Sequence, residues 1–170
     1  IFLLLGLHAF ILAQGPYCTE FNCTANDIGN ASYFIGDSLK SPILSISCVP
    51  GEPVQDVYLW LAFDVTANNR YELNVVGDIL IDSTFQDSFN LCLGDYNSGP
   101  DTIQVEQLIW TCGTELSIAN TLFSWSQQEL GDFPDSCSIC PNNPSKCASF
   151  ETIEVAAPIV AKYVYSSECD

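Results

Sequence analysis

Apolar and polar residues alternate with a period of two along most of the chain, and this constrains the fold more than any other feature. Residues 56–65 (DVYLWLAFDV) put Val57, Leu59, Leu61, Phe63 and Val65 on one face, with Tyr58, Trp60, Ala62 and Asp64 on the other. Successive side chains of a strand point to opposite faces, so this spacing predicts a strand with one face in a core and a partly aromatic second face. Residues 71–75, 85–93, 102–111, 116–125 and 152–155 repeat the theme. Turn-forming clusters lie between them: Val49-Pro50-Gly51-Glu52-Pro53, Ala67-Asn68-Asn69, residues 94–101, Cys112-Gly113 and residues 131–134. Past position 13 no long window carries a capped helical period. Short strands at such spacing predict an all-β fold, an antiparallel immunoglobulin-like β-sandwich.

Composition narrows the function classes. Four Lys and Arg stand against 21 Asp and Glu, a net charge of −17 with the single histidine neutral. Nucleic acid is held mostly by Lys and Arg on phosphates, so this acidic chain is not built for it. A polybasic grip on anionic lipid is excluded on the same ground. Hydrophobic residues make up 48 % and argue against disorder, and the length suits one domain with a sizeable core. Nine cysteines in 170 residues point to an oxidising compartment.

The ends read differently from the body. Residues 1–13 (IFLLLGLHAFILA) are uncharged and apolar, and at about 1.5 Å per helical residue they are too short to cross a bilayer. They read as a secretory signal peptide truncated at its start and cleaved after Ala13. Cleavage would remove His8, the one histidine. Residues 14–157 form the expected disulfide-linked module, and residues 158–170, opening on Pro158, the linker and start of a following module. The whole reads as the N-terminal part of a longer, extracellular or outer-surface protein with no membrane span.

The order of motifs carries a resemblance. Asn22-Cys23-Thr24-Ala25-Asn26-Asp27 opens the domain, and Cys48-Val49-Pro50-Gly51-Glu52-Pro53-Val54 leads into Tyr58-Leu59-Trp60-Leu61. Ile109-Trp110-Thr111-Cys112-Gly113, Phe123-Ser124-Trp125 and Cys140-Pro141-Asn142-Asn143-Pro144-Ser145-Lys146-Cys147 follow. Over roughly residues 22–155 the chain resembles a cysteine-containing N-terminal module of large secreted, adhesin-like surface proteins of Bacteroidota, clients of type IX secretion. The resemblance implies an outer-surface location, further β-rich modules downstream and no catalytic residues to carry over.

With Cys169 assigned to the next module, Cys18, Cys23, Cys48, Cys92, Cys112, Cys137, Cys140 and Cys147 remain as disulfide candidates. Eight cysteines allow about a hundred connectivities. Spacing favours Cys92 with Cys112, which end and begin neighbouring strand candidates, and Cys23 with Cys48, which bracket the first strand region. Cys18, Cys137, Cys140 and Cys147 would then supply two more bridges. Cys137-x2-Cys140-x6-Cys147 could instead offer three thiolates to zinc.

Without His8 neither a Ser-His-Asp nor a Cys-His site can be assembled, and no phosphate loop is present. A glycosidase-type pair of carboxylates survives as a formal option, drawn from Asp64, Glu72, Asp78, Asp82 and Glu106. Asp95, Asn97, Asp101 and Glu106 space their oxygens as a calcium loop would, although Pro100 sits badly in such a loop. Trp60 and Trp110, placed off the core-facing sides, could stack on sugar rings. The chain is therefore expected to be a non-catalytic structural or adhesion module needing no cofactor. Its partners would be neighbouring β-rich modules, a surface glycan or protein ligand, or copies of itself. The alternatives are a carbohydrate-binding module serving a downstream hydrolase, or a subunit of an extracellular filament.

Overall fold

A computed structural model describes residue 23, residues 26–129 and residues 145–160. Nine strands and no helix run through them: β1 (Ile28–Gly36), β2 (Ser45–Ile46), β3 (Pro53–Val65), β4 (Arg70–Ile81), β5 (Thr84–Tyr96), β6 (Gly99–Thr111), β7 (Leu116–Ser126), β8 (Ser145–Ala156) and β9 (Ile159–Val160). The predicted signal peptide, Cys18, Cys137, Cys140 and Cys169 lie outside the described residues.

Seven strands form one sheet in the order β5-β4-β7-β8-β1-β3-β6. Its two ends are strands consecutive in sequence, joined only by Asn97 and Ser98, so the sheet curls until it is nearly barrel-like. The fold is thus all-β, but the sheet is mixed where a purely antiparallel one was expected. β8 pairs antiparallel with β7 as far as Glu154, then crosses so that Val155 and Ala156 pair parallel with Tyr33 and Phe34 of β1. Local alternation reports a strand's faces and not the direction of its partner. The remaining strands, β2 and β9, pair parallel beside the sheet, Ser45 with Ile159 and Ile46 with Val160.

The core fills the inside of the curl. Val57, Leu59, Leu61, Phe63 and Val65 are all buried, as the alternation of β3 requires. They meet Leu73, Val75 and Ile79 of β4, Ile118, Phe123 and Trp125 of β7, and Tyr33 and Ile35 of β1. Phe63 and Phe123 pack with ring centroids 5.3 Å apart, joining opposite walls. Burial of each such side chain stabilises by about 1.5 to 3 kcal/mol. Where walls approach most closely only glycine fits: a Cβ on Gly77 would stand 2.7 Å from the Phe89 ring and 3.0 Å from Ile118.

The barrel has two ends. The lower carries the connections 66–69 and 97–98, the entry to β1, the end of β7 and the start of β8; the upper carries residues 37–52, the hairpin 82–83, the turn 112–115 and β9. In the upper hairpin Asp82 and Ser83 take φ of 47° and 62°, the left-handed pair that matches the twist of a two-residue β-hairpin. Asp82 is held there by Glu115, whose N–H donates to Asp82 Oδ1 at 2.9 Å.

Candidate functional site

The cysteines pair across the fold rather than along the sequence. Cys48 bonds Cys112, 64 residues away, and Cys23 bonds Cys147, 124 residues away. The expected pairs Cys92 with Cys112 and Cys23 with Cys48 are therefore corrected. Cys92 lies within β5 on the outer face of the sheet, opposite Asn74, whereas Cys112 lies past the upper end of β6, so the two stand at different heights of the barrel. Cys92 is itself disulfide-bonded. The zinc reading also falls, because the Cys147 sulfur is committed to Cys23.

On the outer face of the sheet, Cys92, Asn74, Ser124 and Cys147 form one row across β5, β4, β7 and β8. Asn74 and Ser124 are buried, and Val76 and Leu122 pack there on Cys147 with Cys23 against them. A second, smaller core thus lies outside the barrel under the Cys23 bridge. No local signal marks it, since β4 reads as apolar on both faces there.

Neither candidate sugar platform is exposed. Trp60 is 4 % exposed and Trp110 2 %. Trp60 lies on the outer side of β3, but residues 37–42 fold over it as a strap. Its indole N–H donates to the Asp37 carbonyl at 3.0 Å, Lys40 Nζ stands 5.8 Å from the ring centre, and a Cβ on Gly36 would collide with it at 2.7 Å. Asp37 Oδ1 accepts from the N–H groups of Leu39 and Ser41, which fixes the strap's turn. Trp110 was assigned to the wrong face because β6 carries a bulge. Leu59 pairs with Glu106 and Trp60 with Gln104, leaving Val105 extra, and the alternation shifts by one residue. Trp110 then faces the core and Ile109 faces solvent.

The calcium candidates serve the lower end. Asp95 Oδ1 accepts from the Glu72 N–H at 3.1 Å. Asp101 accepts from the Tyr96 hydroxyl at 2.6 Å through one oxygen and from the Thr102 N–H at 2.6 Å through the other. Burial, and then this carboxylate, push the Tyr96 hydroxyl well above the usual tyrosine range. Asn97 sits in the two-residue connection, and Glu106 lies far up β6 opposite Leu59. Among the described residues no group of three or more His, Cys, Asp or Glu is placed to hold a metal ion.

The candidate carboxylates are likewise dispersed. Asp64 accepts from Asn30 Nδ2 at 2.6 Å, Asp78 from Asn120 Nδ2 at 2.7 Å, and Asp82 shapes its hairpin. Glu106 does meet another carboxylate, but it is Asp87 of β5, across the open seam of the curl. Register puts both on the core side, Glu106 opposite Leu59 and Asp87 opposite Ile79. Burial first, then Asp87, raise the Glu106 carboxyl above the usual glutamate range. Inward charges on the two edge strands oppose the addition of a further strand.

The remaining polar side chains tie loops together. Arg70, the only arginine, pairs with Asp27 at 2.8 Å and donates to the carbonyls of Asn68 and Asn69. Asn68 Oδ1 accepts from both the N–H and the hydroxyl of Ser98. No family model, no curated protein and no solved structure matches this chain.

Proposed function

We propose that the chain is a non-catalytic extracellular module, structural or adhesive in role, within a larger surface protein of the kind its motifs resemble. The observation that carries this reading is the pair of long-range disulfides, Cys48–Cys112 at the upper end of the barrel and Cys23–Cys147 on the outer face of β8. Such bonds persist in oxidising compartments and stabilise a domain that must last outside the cell. The strand order supports the immunoglobulin-like reading as well: β6-β3-β1 and β8-β7-β4-β5 face one another as two antiparallel sets, joined by the β1–β8 crossover.

Burial of Trp60 and Trp110 takes away the stacking platforms that a carbohydrate-binding module would need. The test is to express the protein from its natural gene and follow three readouts. Appearance of oxidised protein outside the cell, no turnover on a panel of glycosides and no signal on a glycan array are expected. Retention in a reducing compartment, or hydrolysis that is lost in Glu106→Gln, would overturn the reading.

A further inference from the structure

We infer that the upper end of the barrel is a docking surface for a cationic, apolar polypeptide segment. This rests on the reading of the chain as an interaction module and names the chemistry of its partner. Among the described residues, the exposed large apolar side chains are Leu39 (81 %), Leu44 (79 %), Ile159 (75 %), Ile109 (66 %), Val49 (64 %) and Phe85 (53 %). Every one belongs to the upper end. Leu39, Leu44 and Val49 lie between β1 and β3, Phe85 is the second residue of β5, Ile109 is near the end of β6, and Ile159 is in β9. Among the described residues, the lower connections 66–69 and 97–98 hold no large apolar residue. Isolated exposed apolar residues are ordinary, but six that all stand at one end of the barrel are more than scattered exposure and favour an interaction surface there.

The segments that carry them are held in place. Cys48–Cys112 ties the turn before β3 to the turn after β6, and two main-chain bonds, Gly51 N–H to Cys112 O and Cys112 N–H to Glu52 O, reinforce it at 3.0 and 2.9 Å. The Ile159 N–H donates to the Leu44 carbonyl at 3.0 Å, which fixes the start of β9 against the residue that leads into β2. A partner would therefore meet a surface already ordered, and ordering would cost little on binding.

Charge selects the partner. Exposed Glu52, Asp56, Asp82 and Glu115 stand among these apolar residues. Lys40 is the one basic residue among the described residues of the upper connections, and its ammonium already donates to the Thr102 carbonyl at 2.8 Å. A second copy of this chain, also at −17, would be repelled. A segment bearing both aliphatic and Lys or Arg side chains satisfies both features.

The experiment titrates the full chain with three short synthetic peptides of equal length: alternating leucine and lysine, serine and lysine, and leucine and glutamate. The leucine–lysine peptide is expected to bind at least about tenfold more tightly than either control, and more weakly as salt rises. Leu44→Ser with Ile159→Ser should cost about tenfold with no loss of thermal stability, because both side chains are exposed. Glu52→Gln with Glu115→Gln should weaken binding and flatten its salt dependence. Equal binding of the serine–lysine peptide, or binding indifferent to Leu44→Ser with Ile159→Ser, would overturn the proposal. So would sedimentation showing self-association that those two substitutions disperse, which would make the surface a contact between copies. Enzymatic activity or glycan binding would sink the broader reading and leave this readout untouched.

Discussion

At the lower end of the barrel, loops are fixed by their own side chains: Arg70 to Asp27 and two carbonyls, Asn68 to Ser98, Asp95 to the Glu72 N–H, Asp101 to Tyr96. At the upper end they are fixed by a disulfide, by main-chain hydrogen bonds and by the Asp37 turn over Trp60. Polar side chains that bond one another are withdrawn from any partner. Where the backbone and a covalent bridge supply the order, side chains stay available, and at this end they are large and apolar. The difference assigns shape-keeping to one end and contact to the other.

The largest effect should come from Trp60, on which the upper strap rests. Trp60→Ala removes a large buried side chain and the indole bond to Asp37, and is expected to destabilise by about 3 to 5 kcal/mol in urea unfolding. A loss below about 1 kcal/mol would mean that the strap does not pack on the ring. Next comes the upper bridge. Cys48→Ala with Cys112→Ala should cost about 2 to 4 kcal/mol, since the bond closes a long loop in the unfolded chain. Hydrogen exchange should rise most in residues 45–52 and 112–115, with the lower end unchanged. Equal loosening at both ends would break the comparison.

These residues also show what the sequence could and could not disclose. The core face of β3 was legible in full, because a strand buried on one side writes its geometry at every second residue. Trp60 was misread because its cover comes from Asp37, 23 positions earlier, and alternation reports only a strand's own faces. Trp110 was misread because one extra residue at Val105 inverts every position after it. The hairpin at 82–83 went unseen, since Asp-Ser lacks the glycine that usually announces positive φ. Disulfide partners follow strand order, and strand order here departs from sequence order at four of its six steps. The apolar upper end was hidden for the same reason: its six exposed side chains come from four separate parts of the chain.

At the lower end Arg70→Ala is the sharpest probe. It deletes the ion pair with Asp27, whose partners are 11 % and 22 % exposed, together with both carbonyl bonds. A loss of about 1.5 to 3 kcal/mol is expected, as for hydrogen bonds to charged groups in a partly buried site. Arg70→Lys should recover only part of it, because an ammonium cannot span a carboxylate and two carbonyls as the guanidinium fork does. Peptide binding at the upper end should not change in either variant. A change there would show that the two ends are coupled rather than divided in role.

The smallest effect lies on the seam between the edges, which belongs to neither end. Burial and then Asp87 hold the Glu106 carboxyl above its ordinary value, so folding favours its protonated form. A folded pKa raised above the unfolded one gives stability that is complete below the unfolded value and is lost as pH rises through the folded one. At neutral pH the Glu106 charge is therefore a net cost to the fold. Glu106→Gln is expected to be more stable there, by no more than about 0.5 kcal/mol because the group is still partly solvated. The advantage should shrink as pH falls through the raised glutamate value and disappear near the ordinary one, about pH 4. Asp87→Asn should give a smaller gain of the same sign, since repulsion from Asp87 is the second cause and burial the first. Paired urea curves at several pH values check this. A gain independent of pH would mean that Gln helps by packing, and that the inward carboxylates do not repel across the open seam.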